Sequence, residues 1–355
     1  MVDLSDVSRR HLLGVLGAST TGAIAGCNGD TAGSDSSESA TGTASVTSTT
    51  NGETSQELDT VRFDGGGAEA FAEALRTLAD NPGATLEIAE GTYRFSPSDM
   101  QVGTRQEAHF EIAGLRDATI AGNGSRLVFT DPTLGTIYAY GGSNLAVRNL
   151  EVDYDPVPFT QGEITAVSRA DRTLTLALED SYPSLDDPMF DDAPFVWGSV
   201  HTPDGDFVSG VRREGSLDKH FASISHVDGR RYELTLADGT EPAGLEVGRR
   251  MAVVARGFNH ALTFSEVEAL TLRNVDVRAS RAFAIFLGYC EEATVSGCSV
   301  ATREGSDRLV SSDADGIYCS SNGPGLTIED CHVEQALDDG IIVSTPTTWV
   351  TDVGE

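Results

Sequence analysis

Five stretches of the chain read as copies of one unit. They are "DATIAGNGSRLVF" (Asp117 to Phe129), "NLAVRNLEVDY" (Asn144 to Tyr154), "ALTLRNVDVRAS" (Ala269 to Ser280), "ATVSGCSVATR" (Ala293 to Arg303) and "LTIEDCHVEQA" (Leu326 to Ala336). Each runs apolar, polar, apolar, a polar pair, then apolar, polar and Val or a similar residue. Setting aside the interval from Val147 to Leu272, the equivalent positions Ile120, Val147, Val295 and Ile328 lie on a spacing of 23 to 33 residues. A unit of that length cannot bury its apolar face alone, so its copies must stack. Because the copies alternate like strands and lack the spacing of helix pairs, the predicted fold class is all-β, a parallel β-helix.

The segment "GGGAEAFAEALRTLADNPGATLEIAEGTYRF" fits the start of such a solenoid. Ala68, Phe71, Ala72, Leu75, Leu78 and Ala79 follow helical spacing, and "NPG" stops the helix before a strand that begins at Thr85. A helix here would cover the open end of the stack. Between Asp155 and Phe258 the repeat lapses. "GEITAVSRADRTLTLALED" and "FASISHVDGRRYELTLADG" each read as strand, polar turn, strand, and "VGRRMAVVA" as a further strand. The expected organisation is therefore a cap with the first coils over 59–154, an inserted β-barrel or β-sandwich module over 155–258, and further coils over 259–355. "STPTTWVTDVGE" offers no capping element, so a C-terminally truncated solenoid is expected.

Within the last coils "DG-I" occurs twice, in "DADGIYCS" and "LDDGIIVS". Aligning Ile317 with Ile341 sets Asp315 against Asp339 and Asp313 against Leu337; the preceding copy, "RAFAIFLG", has Phe283 at that position. Stacked coils lie about 4.8 Å apart, so Asp315 and Asp339 should be vertical neighbours. Asp338 can join them if the coil kinks at its corner. Close carboxylates cannot all ionise cheaply, so one keeps a proton beside a partner able to activate water. Glycoside hydrolysis needs such a pair. Two other readings stay open: a Ca²⁺ site built from Asp313, Asp315, Asp338 and Asp339, serving structure or a lyase reaction, or a solvated acidic surface on a non-catalytic carbohydrate-binding or adhesion solenoid. His260 can donate to a sugar hydroxyl, Trp197 and Tyr289 can stack on a sugar face, and Arg281, Arg303 and Arg308 are the cations near the acids.

The opening segment ending in "EGTY" resembles the first coil of the pectin-lyase-like superfamily, which implies a right-handed parallel β-helix. The acidic turns are similar to the "NTDG" and "DD" motifs of glycoside hydrolase family 28, with "DADG" in the first place, but that family's downstream "GHG" and "RIK" motifs are missing. The turns resemble more closely the α-1,3-galactosidases of family 110, β-helices interrupted by β-barrel modules. "DYDPVPFTQGEITAV" (Asp153 to Val167) and "ARGFNHALTFSEVEALTLRNV" (Ala255 to Val275) carry the same resemblance. It implies inverting hydrolysis of a terminal α-galactoside, with active-site aspartates falling on Asp315, Asp338 and Asp339. A polygalacturonase-like hydrolase or lyase on an acidic polysaccharide is the alternative. It calls for more basic subsites than this chain supplies, so Asp313, His260 and Arg281 are read as supporting contacts to a neutral sugar. No cofactor is required, with Ca²⁺ the possible exception.

Charge and the first residues set the expected location. Asp and Glu number 55 against 24 basic residues, a formal charge of -31, and Lys219 is the only lysine. That balance argues against a nucleic-acid partner and suits a halophile, read here as an archaeon. "SRRHLLGVLGASTTGAIAGC" resembles a twin-arginine signal with a lipobox, implying export and a lipid anchor at Cys27 on the cell surface. Residues 28–58 read as a solvated linker. Cys290, Cys298, Cys319 and Cys331 show no zinc spacing, and the repeat makes them small strand residues.

Overall fold

The computed structural model describes residues 59–97, 107–211, 219–240 and 244–345. The predicted signal with Cys27, the predicted linker and the last ten residues lie outside the described residues.

Fourteen strands join one parallel sheet that winds into a β-helix with three columns. The first column stacks Phe110, Ile137, Leu262, Ile285, Ile317 and Ile341 in register. The second stacks Val61, Leu86, Ile120, Val147, Leu272, Val295 and Ile328. The third runs through Phe95, Phe129 and Tyr154, and through Val152, Val277, Val300 and Val333. Alternate residues of each strand point inward, so the columns enclose one continuous apolar core.

The polar pair inside each repeat makes the bend between the second and third columns. Asn123, Asn149, Asn274, Gly297 and Asp330 all have φ between 50° and 61° there. Asn, Asp and Gly are the residue types that tolerate the left-handed region at low cost, which explains the pair. The side chains also stack, Asn274 donating to Asn149 at 3.1 Å. A helix, Gly67–Asp80, buries Phe71, Ala72, Ala74, Leu75 and Leu78 in the core at the first coils. Asn81 caps it through the carbonyl of Leu78, and the strand Thr85–Ile88 follows.

Between the third column at Tyr154 and the first column at Leu262 the chain leaves the solenoid. It forms a seven-stranded antiparallel sheet, from Phe159–Ser168 to Arg250–Arg256. This sheet has its own core, including Ile164, Leu174, Val200, Leu234 and Met251. Among the described residues its strands form one hydrogen-bonded path, Phe221–Asp228 and Phe207–Val211 at its two ends.

The excursion leaves at one corner, the turn from third to first column. On later coils the same corner carries Ser280–Ala284, Ser312–Gly316 and Ala336–Gly340. Backbone hydrogen bonds lock these in register: Gly257 to Arg281, Asp313 to Ser280, Leu337 to Ser312, and Gly316 to Asp339. This corner alone varies widely in length, the usual place for function on a repetitive scaffold.

Candidate active site

Asp315, Asp338 and Asp339 meet at this corner. One carboxylate oxygen from each lies within 4.8 Å of the others. The 24-residue step brings Asp339 directly over Asp315, and the backbone N–H of Asp339 donates to Asp315 Oδ1 at 3.1 Å. Asp338 would point away from a regular strand, but here the chain is turning, so both acids of the "DD" pair serve one face. Asp315 is buried, whereas Asp338 and Asp339 are exposed. Burial, with the neighbouring Asp338 charge, pushes the Asp315 carboxyl up to about 6; the Asp339 N–H and Arg256 oppose the rise. Asp315 is therefore suited to hold a proton up to about pH 6 with two further carboxylates beside it.

Gly316 is there for want of space. A Cβ on Gly316 would lie 2.5 Å from Val333 Cγ1 and 2.6 Å from the Gly340 carbonyl oxygen. Only glycine lets the two acidic turns stack at coil spacing.

Four ring systems line the same corner and the strands that follow it. His260 stacks on Phe283 with centroids 4.6 Å apart and on Phe286 at 4.7 Å, and Phe283 stacks on Tyr318 at 4.4 Å with planes 6° apart. His260 Nδ1 accepts from the Phe283 N–H at 3.3 Å. Burial and the nearby Arg256 cation push its pKa down to about 3, so the ring is neutral and Nε2 carries its proton. The predicted donor is thus in the required tautomer.

Asp313 and Arg281 do not line the cluster. Asp313 is wholly buried, and neither carboxylate oxygen has a hydrogen-bond partner. Burial drives its pKa well above the ordinary range despite Arg281 and Arg256, so it is a neutral acid inside the corner. Arg281 is only 7% exposed and donates to the carbonyls of Ala255, Thr133 and Met189. It ties the solenoid to the inserted sheet and is not placed to touch a sugar. Arg303 and Arg308 likewise serve the outer wall, pairing with Glu151 and, at 2.7 Å, with Asp153. Trp197 is core, 4% exposed, while Tyr289 is exposed. The expected four-aspartate calcium set reduces to three converging carboxylates, Asp315, Asp338 and Asp339, because Asp313 is turned into the interior.

Arg256 was not singled out from the sequence. It ends the last strand of the inserted sheet, and its Nη1 donates to Asp338 Oδ2 at 3.0 Å. The only cue was its position, a cation at the module's exit four residues before His260.

This parallel β-helix with clustered aspartates on successive coils is similar in sequence to two curated proteins. The chain is 23% identical over 314 residues to alpha-1,3-galactosidase B of Akkermansia muciniphila, covering 82% of this chain and 38% of that protein. It is 23% identical over 291 residues to alpha-1,3-galactosidase A of Shewanella woodyi, covering 76% and 47%. This agrees with the resemblance drawn from the acidic turns. The chain spans less than half the length of these curated relatives. No family model matches it. A solved structure from Parabacteroides merdae, described as a candidate glycosyl hydrolase, aligns at 13% identity with a TM-score of 0.31, covering 77% of this chain and 92% of that one.

Proposed function

We propose that the chain is the catalytic solenoid of an exported glycoside hydrolase that removes a terminal α-galactoside, with Asp315, Asp338 and Asp339 as its catalytic residues. The observation carrying this reading is the convergence of three carboxylates from two coils at the one variable corner. The similarity to two alpha-1,3-galactosidases supports the substrate class. One member of the trio delivers a proton to the leaving oxygen while an ionised member activates water, and His260 Nε2–H donates to a sugar hydroxyl. A neutral sugar is favoured because the cation nearest the trio, Arg256, is already paired with Asp338. Export and a lipid anchor at Cys27 remain part of the proposal on the strength of "SRRHLLGVLGASTTGAIAGC".

Inversion is carried by the resemblance. The nearest oxygens of the trio are closer than the roughly 6.5–9.5 Å between the carboxyls of an inverting pair. The anomer released first, read by proton NMR, decides the stereochemistry.

The test is incubation of the full chain in concentrated salt with aryl α-galactosides and with galacturonan. Release from the galactosides alone is expected. Release from neither, with the fold intact by circular dichroism, overturns the hydrolase reading, and release from galacturonan alone transfers it to an acidic polysaccharide. A melting temperature that collapses on calcium chelation, with no glycoside cleaved, would favour the calcium reading.

A further inference from the structure

The inserted sheet leans down the solenoid along the corner that bears the acids. Tyr182 OH donates to Asp307 Oδ1 at 2.9 Å, Gln161 and Arg250 each donate to the Asp307 carbonyl at 2.9 Å, and Gln161 Oε1 accepts from the Leu309 N–H at 3.0 Å. Arg281 reaches in the opposite sense to the Met189 carbonyl. The module is therefore fixed against two further coils beyond the one that emits it.

Arg256 is where this overhang meets the trio. The next residue, Gly257, donates its N–H to the Arg281 carbonyl one coil on, and the strands that follow these corners step from Leu262 through Ile285 and Ile317 to Ile341, three coils in all. Because the sheet leans down the stack, the Arg256 side chain still reaches Asp338 and makes the ion pair, with side chains 13% and 32% exposed. The two residues are 82 positions apart in the chain. A short carboxylate on a turn has several rotamers, and a charge-assisted hydrogen bond from a residue anchored in a rigid sheet selects one.

We propose that Arg256 is a positioning residue for the reaction, holding the Asp338 carboxylate in the trio, so that the inserted sheet is a working part of the active site. This rests on the hydrolase reading above. Arg256 acts through Asp338 and need not touch the sugar, so its loss lowers kcat while leaving KM near its original value. Misplacing a reacting group by about 1 Å costs on the order of 100-fold in rate.

The experiment is steady-state kinetics on an aryl α-galactoside with wild type, Arg256→Gln, Arg256→Lys, Asp338→Asn and the Arg256→Gln/Asp338→Asn double variant, each checked for its melting temperature. Arg256→Gln should lower kcat about 100-fold with KM within about threefold. Arg256→Lys should recover at least a tenfold part of that loss, and Arg256→Gln should cost nothing more once Asp338 is Asn. If Arg256→Gln keeps kcat within threefold, or if its loss is multiplicative with that of Asp338→Asn, the role is overturned while the hydrolase reading stands. The role is also overturned if Lys and Gln lose activity equally in step with melting temperature, because that marks mere docking of the module. An inactive but folded wild type overturns the hydrolase reading itself, and the role with it.

Discussion

Asp339 donates its backbone N–H to the carboxylate of Asp315 at 3.1 Å, across one 24-residue coil. The bond ties the two acidic turns together through main chain on one side and side chain on the other. It places Asp339 over Asp315, and the donated N–H offsets part of the repulsion that the neighbouring carboxylates impose on Asp315. Separate Asp315→Asn, Asp338→Asn and Asp339→Asn substitutions keep this shape. Each should lower kcat on an α-galactoside by about 10²- to 10⁴-fold with the melting temperature nearly unchanged, in the range for loss of a proton-transfer group. Retention of full activity by all three would remove the trio from the mechanism.

The proton on Asp315 sets the pH dependence. Its folded pKa, about 6, lies above the ordinary value of 3.8. Between those values Asp315 holds a proton in the folded chain that it has released in the unfolded chain, so its contribution to stability is fully present below about 4 and is lost as pH rises through about 6. Asp315 loses its proton over the upper end of that window, and kcat/KM should fall above pH 6. Asp315→Asn should flatten this part of the stability profile, which chemical denaturation at pH 4, 5, 6 and 7 measures.

Much of this geometry was legible beforehand, for a physical reason. Stacking at fixed spacing converts sequence offset into position, so aligning Ile317 with Ile341 already placed Asp315 beside Asp339, and the registered strands bear that alignment out. The five repeats likewise supplied the second column. Their polar pairs gave no direct sign of the left-handed bend at Asn149 and Asn274, because Asn is also an ordinary surface residue. The site was legible only where its members were repeats of one another. Arg256 belongs to the inserted sheet, outside the repeating coils. Its pairing with Asp338 depends on how that sheet leans, which no local pattern encodes. Arg281 misled for the opposite reason: a cation close to the acids in sequence was drawn inward to satisfy three carbonyls.

Gly316 should be irreplaceable. A methyl group there meets Val333 and, more seriously, the Gly340 carbonyl oxygen, which belongs to the backbone and cannot rotate away. Gly316→Ala should destabilise the chain by about 1–3 kcal/mol, the range for overpacking, and should reduce activity by separating the two turns. Gly340→Ala is the control. Its nearest atoms are 3.8 Å away on the Val333 side chain, so its unfolding midpoint should move far less.

Asp313 carries a cost that a single substitution can remove. It is fully buried with no hydrogen bond to either oxygen, and burial holds its carboxyl protonated far above the ordinary range. The unfolded chain releases that proton near pH 4 and the folded chain does not, so stability declines as pH rises above 4. Asp313→Asn has the same shape and no proton to lose. It should raise the denaturation midpoint at pH 8, a gain that fades toward pH 4. An equal effect at both pH values would mean that Asp313 does not titrate with folding.

His260 combines two roles that substitution can separate. As a ring it lies against Phe283 and Phe286, and as a neutral imidazole it offers Nε2–H. His260→Phe keeps the stack and deletes the donor, so its melting temperature should stay near wild type while KM for an α-galactoside rises, by roughly fivefold for one neutral hydrogen bond. His260→Ala deletes both, adding a stability loss of about 1 kcal/mol from the ring stack. Because the histidine is already neutral down to about pH 3, the effect of His260→Phe on KM should not vary between pH 5 and pH 8. A KM effect confined to one side of pH 6.5 would mean that the imidazole titrates in the enzyme and acts as a charge rather than as a hydrogen-bond donor.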